Sequence, residues 1–176
     1  EITAAVKNEG GSLKITGGKL EGEGTVWRGT VEVTGGEILA SNLAVDAATL
    51  KISGGYIGNT SGDQYGQLIK DSGVTMTGGT IDNKKTWGQA LATCTLTMSD
   101  GLIKSASGGV YRSYGGLLKV TGGRIEANGT ALQMDMGNGT GAGSARVEIS
   151  GGEIISTNGV GVWVNAGIAN ITGGLI

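Results

Sequence analysis

A six-residue motif, an apolar residue, a hydroxyl, two glycines, any residue and Leu or Ile, occurs eight times and covers the chain from Ile15 to Ile176. Its copies begin at Ile15, Val33, Ile52, Met76, Met98, Val120, Ile149 and Ile171, and only the copy at Met98-Ser99-Asp100-Gly101 breaks the Gly pair. Successive pairs are 18, 19, 24, 22, 22, 29 and 22 residues apart, a mean of about 22. A period in the twenties indicates a solenoid, in which each coil buries its apolar face only against its neighbours. The 37 glycines among 176 residues therefore have structural slots, since a hydrophobic share of 38% is too high for a disordered polar tract.

The type of solenoid follows from the shorter period inside each coil. Two residues before each motif stands another apolar residue, Leu13, Val31, Leu50, Val74, Leu96, Leu118, Val147 and Ala169. Alternation with period two marks a strand buried on one side. A second strand ends on the Leu or Ile after the Gly pair. A third is suggested by Leu43/Val45, Leu132/Met134 and Val162/Val164. Three short strands and three bends per coil predict a single-stranded parallel β-helix of about eight coils, right-handed by the preference of parallel crossovers. A leucine-rich repeat of similar length would need a helical or Asn-ladder segment, which the sequence does not show. Residues 1–176 read as one β-helix segment of a longer protein, with end-to-end continuation into flanking coils or domains, because end coils otherwise expose apolar ladders and strand edges.

Composition removes several classes of chemistry. The chain has no His, so Ser-His-Asp and Cys-His nucleophiles, His-ligated zinc and His bases are excluded. Cys94 is the sole cysteine and falls in phase with Leu96 and Met98, which predicts an inert interior thiol. With 13 basic against 15 acidic residues there is no basic footprint for nucleic acid, and no apolar run approaches the ~18 residues of a membrane span.

The outward residues of the first strand read Lys14, Glu32, Lys51, Thr75, Thr97, Lys119, Glu148 and Asn170, and those after the Gly pair read Lys19, Glu37, Tyr56, Thr80, Leu102, Arg124, Glu153 and Leu175. Opposite charges on neighbouring coils predict ion-pair ladders. A metal or acid–base site would have to combine Asp100 with Asp82 and Glu126, but Lys104 interrupts that column. Asp itself is expected in the turn because it tolerates the left-handed region.

The chain resembles the β-helix architecture of polysaccharide lyases and galacturonases, which implies no catalytic residue here because their clustered carboxylates are replaced by a charge alternation. It is more closely similar to the Thr-Gly-Gly-x-Ile coil proteins of Gram-positive bacterial surfaces, which include carbohydrate-binding and adhesin domains. That resemblance implies a secreted or cell-surface location and a glycan or host-surface ligand. Some of those proteins carry an acidic calcium motif, and only Asp100-Gly101-Leu102 approaches it, so no cofactor is expected.

The functional expectation rests on aromatics. Tyr56, Tyr65, Trp87, Tyr111 and Tyr114 gather in coils three to five, where flat rings on a rigid frame can stack on sugar faces. The expected function is a non-catalytic binding or adhesion module. The alternatives are a polysaccharide lyase or glycoside hydrolase, marked by carboxylates converging on one groove, and a stalk with no ligand. The glycine-rich insertion Met136–Ala145 reads as a flexible loop without a Walker lysine.

Overall fold

The computed structural model describes residues 8–22, 27–60, 62, 65–112, 115–135 and 145–176. These contain no helix, and the strands run parallel in stacked coils about 22 residues apart, giving a β-solenoid of about seven turns. Eight motifs thus bound seven turns rather than building eight. The strands are β1 (Asn8–Gly22), β2 (Trp27–Ala40), β3 (Val45–Ile52), β4 (Tyr56–Asn59), β5 (Ile69–Lys70), β6 (Gly73–Asn83), β7 (Gln89–Ala92) and β8 (Thr95–Ser105). They continue as β9 (Gly108–Arg112), β10 (Gly116–Val120), β11 (Arg124–Ala127), β12 (Leu132–Met134), β13 (Ala145–Ser156), β14 (Val162–Val164) and β15 (Ile168–Leu175).

Each coil presents three faces. The first holds the apolar pairs before the Gly pair, aligned rung on rung as Val31, Leu50, Val74, Leu96, Leu118 and Val147. The second holds Ile38, Ile57, Ile81, Ile103, Ile125 and Ile154, and the third Val45, Ile69, Leu91, Val110, Leu132 and Val162. All of these except Val162 are buried, and alternate residues point outward, as a pleated strand requires. On the last coil Ile168, Ile171, Leu175 and Ile176 are exposed.

The Gly pair makes the corner between the first two faces by two separate devices. At Gly55 the backbone has φ 76°, in the left-handed region where a side chain is strained, and a Cβ would lie 2.7 Å from the Gly36 carbonyl oxygen. At Gly54 φ is ordinary, but a Cβ would stand 2.5 Å from the Thr34 carbonyl oxygen. The ladder shifts register at this corner, for Thr16 pairs with Gly35, Thr77 with Asp100 and Ser150 with Gly173. Asp100 therefore occupies the slot set by close approach, and not a left-handed residue as the sequence led us to expect. Gly101 takes the positive φ, at 100° against 76° to 82° at Gly36, Gly55, Gly79, Gly123 and Gly152. The Asp100 carboxylate accepts the Gly101 N–H at 2.7 Å.

The other two corners are built differently. At the second, Asn59 and Asn83 are fully buried on adjacent coils, a short Asn stack that the sequence reading did not find. Asn59 Nδ2 donates to the Asn42 carbonyl at 2.9 Å, and Asn59 Oδ1 accepts the Lys84 N–H at 3.2 Å. Asn83 Oδ1 accepts the Lys85 N–H at 3.3 Å. At the third, Ala47, Asp71 and Thr93 stack with φ of 49°, 49° and 54°, three non-glycine residues in the left-handed region. The Thr93 hydroxyl hydrogen-bonds the Asp71 carboxylate, and the Arg112 guanidinium donates to the carbonyls of Thr93 and Gly115. Cys94 lies just inside this corner, fully buried, its Sγ 3.3 Å from the Ala92 carbonyl.

Candidate functional site

Several carboxylates of the first two faces are engaged by neighbours. Glu32 meets Lys14 at 3.0 Å, Glu148 meets Lys119 at 3.6 Å, and Arg124 reaches both Glu126 at 3.1 Å and Glu153 at 2.6 Å. These are the expected ladders, although Lys19 pairs along its own strand with Glu21 at 2.6 Å. Asp82, Lys104 and Glu126 align in one column, as the sequence predicts, and Asp82 accepts a hydrogen bond from Tyr56. Among the described residues no group of three potential ligands is arranged for a metal. The hollows beside these ladders are shallow, about 210 Å³ between Glu32, Lys51, Ser53 and Thr75, and about 190 Å³ between Lys119, Glu148 and Asn170. A hollow of about 400 Å³ lies along Ile154, Gly161, Leu175 and Ile176 at the edge of the last coil and includes no aromatic.

The five predicted aromatics divide into different settings. Tyr56, in the outward slot that opens β4, is half-buried and lies across Gly58, where an added Cβ would be 2.4 Å from its ring. Its hydroxyl donates to Asp82 Oδ2 at 2.8 Å, and Lys84 Nζ stands 5.9 Å from the ring centre. Burial, reinforced by the Asp82 carboxylate, raises the phenol well above its usual range. Tyr56 is thus held by the second face on all these contacts.

Tyr65 and Trp87 come together. They form a parallel bridge on adjacent coils, and they are 67% and 70% exposed. The sequence positions them by an aromatic–glycine dipeptide in each coil. Gly66 donates its N–H to the Trp87 carbonyl at 2.8 Å, and Gly88, with φ 116°, brings its backbone so near Gly66 that a Cβ there would overlap the Gly66 carbonyl oxygen. The two rings therefore rise from backbones one coil repeat apart, about 4.8 Å. Gln67 Nε2 reaches the Tyr65 hydroxyl at 3.5 Å, and the buried Asn59–Asn83 corner anchors the segment from Lys84 to Trp87.

Tyr111 lies on the third face, one residue past the buried Val110, and is half-buried. Tyr114 falls outside the described residues, as does the insertion from 136 to 144. A residue that sequence reasoning left out of the site is Trp163. It is 47% exposed and shares the outward row of Tyr111, with Gln133 between them. The signal was available, because Val110, Leu132 and Val162 are each followed by one member of that row.

Neither a protein-family model, nor a curated protein, nor a solved structure matches this chain. The inference to function therefore rests on the surface itself.

Proposed function

We propose that the chain is a non-catalytic binding module of a secreted or surface-attached bacterial protein, and that it meets glycan through Tyr65 and Trp87. One observation carries the reading: two aromatic rings, each about two-thirds exposed, stand side by side on a frame whose other large side chains are mostly buried. Tyr and Trp offer wide contact area at little entropic cost, and the apolar faces of pyranose rings are suited to them. The bacterial surface setting draws on the similarity of the Thr-Gly-Gly-x-Ile coils. The absence of His and the pairing of carboxylates with lysine and arginine speak for binding rather than turnover.

A glycan array probed with the wild-type chain and with a Tyr65→Ala, Trp87→Ala variant tests this. The expected result is a defined set of bound glycans whose signal is lost in the variant. Absent binding by the wild type would leave a structural stalk as the better account, and equal binding by both would place the glycan away from Tyr65 and Trp87. Cleavage of a polyuronate by the wild type would favour the lyase.

A further inference from the structure

The row on the third face carries a second inference, independent of the Tyr65–Trp87 pair. In the stacked strands β7, β9, β12 and β14, register places Ala92, Tyr111, Gln133 and Trp163 directly above one another. Each follows an inward aliphatic residue, Leu91, Val110, Leu132 and Val162, so the four point outward. Ala92 is nevertheless fully buried and lies outside the core cluster, so it offers no surface to a ligand. What the row presents is an aromatic ring, a planar amide and a second aromatic ring on three successive coils.

Two properties of this row select a ligand. The first is spacing. Tyr111 and Trp163 are two coil steps apart, about 9.6 Å along the solenoid axis, with Gln133 midway. An extended β-1,4-linked polysaccharide is a ribbon in which every second sugar turns the same face to one side, and its two-sugar advance is close to that distance. An α-1,4-linked chain coils, and its alternate sugars do not lie on a line. The second is charge. On the same coils the first two faces carry Lys119, Arg124, Glu126, Glu148 and Glu153, whereas Tyr111, Gln133 and Trp163 are uncharged at neutral pH, the nearest cation of the row being Lys70, one coil beyond Ala92. At the edge of the row Arg112 is spent on backbone carbonyls, and Asp135 accepts from Asn165 Nδ2 at 3.0 Å. Three successive uncharged positions between charged faces suit an uncharged polymer better than a uronate or sulfated chain.

We infer that the third face binds an uncharged, extended β-linked polysaccharide running parallel to the solenoid axis. Tyr111 and Trp163 stack under alternate sugars, and the Gln133 amide hydrogen-bonds the hydroxyls of the sugar between them. The inference shares with the proposed function the expectation of a glycan ligand but assigns it to other residues.

The test is calorimetric titration of the full chain with three soluble hexasaccharides: cellohexaose, maltohexaose as the α-linked control, and hexagalacturonate as the charged control. The wild type should bind cellohexaose at least about tenfold more tightly than either control. Tyr111→Ala and Trp163→Ala should each weaken binding about tenfold, the loss expected for one stacking ring. Trp163→Phe, which keeps a flat ring, should recover most of the affinity, and Gln133→Leu should cost less than either ring. Melting temperatures of all variants establish that they fold, and Trp163→Phe with Gln133→Leu keeps the test usable should an alanine variant not. Binding of cellohexaose that survives both ring substitutions but is lost in Tyr65→Ala, Trp87→Ala would overturn this assignment and leave the proposed function standing. Equal affinity for maltohexaose would overturn the geometric argument. No binding of cellohexaose by the wild type would overturn the inference, while the glycan array continues to judge the broader reading.

Discussion

The Gly-pair corner and the third corner of the same coils turn the chain by opposite means. At the first, glycine supplies the left-handed residue at every described motif, and the preceding coil sits so close that no side chain fits at Gly54 or Gly55 without backbone movement. At the third, Ala47, Asp71 and Thr93 adopt the left-handed conformation with side chains attached, and polar contacts from Asp71 and Arg112 hold the bend. The first corner repeats through the solenoid with Asp100 as its one substitution, and it is flanked by charge ladders. The third varies from coil to coil, and it borders the face that carries Tyr111 and Trp163. Repetition thus marks the scaffold, and the departures from it fall on the face proposed to bind.

Cys94 lies beneath the third corner and reports whether that bend is fixed. Burial pushes its thiol up to about 12. At pH 8 a thiol-specific reagent should therefore label the folded chain at least about a thousandfold more slowly than the denatured chain. Rapid labelling of folded protein would show that the third corner opens readily and is not a fixed bend. The linkage has a definite sign. The folded thiol holds its proton more tightly than the unfolded one, so its contribution to stability is complete below the unfolded value of about 8.5 and is lost as pH rises from there toward 12.

Two substitutions of opposite sense distinguish the corners by stability. Gly55→Ala forces a side chain into the left-handed region against the Gly36 carbonyl and should cost about 2 kcal/mol or more in chemical denaturation. Ala47→Gly relieves the same conformation at an exposed position and should stabilise by up to about 1 kcal/mol, the relief exceeding the added chain entropy. Destabilisation by both would mean that Ala47 contributes contacts outweighing its strain, and that the two corners are less different than their φ angles imply.

The parts legible in the sequence are those fixed by repetition. The period gave the coil, alternation gave the buried ladders, and a cation opposite glutamate gave Lys14–Glu32, Lys119–Glu148 and Arg124–Glu153. What the sequence concealed depended on register at the variable corners. Tyr56 stands in an outward slot, yet Gly58 and Asp82 draw it down onto the sheet, a consequence of residues two positions and one coil away. Trp163 was passed over because the 29-residue spacing separates it in sequence from a residue that is only two coils distant in space. Asp100 was assigned a left-handed turn because the two glycines of a pair look alike in sequence, although only the second has positive φ.

The first two faces are proposed as scaffold, and the third face, with the Tyr65–Trp87 ridge that leads into it, as the place where ligand binds. Backbone amide chemical-shift mapping of the chain, titrated with a glycan that the array identifies, reads all three faces at once. The predicted result is perturbation confined to 65–70, 87–92, 108–112, 132–134 and 162–164, with the Gly-pair corners silent. Perturbation centred on the ladders of Lys14, Glu32 and Lys51 or of Arg124 and Glu153 would contradict it.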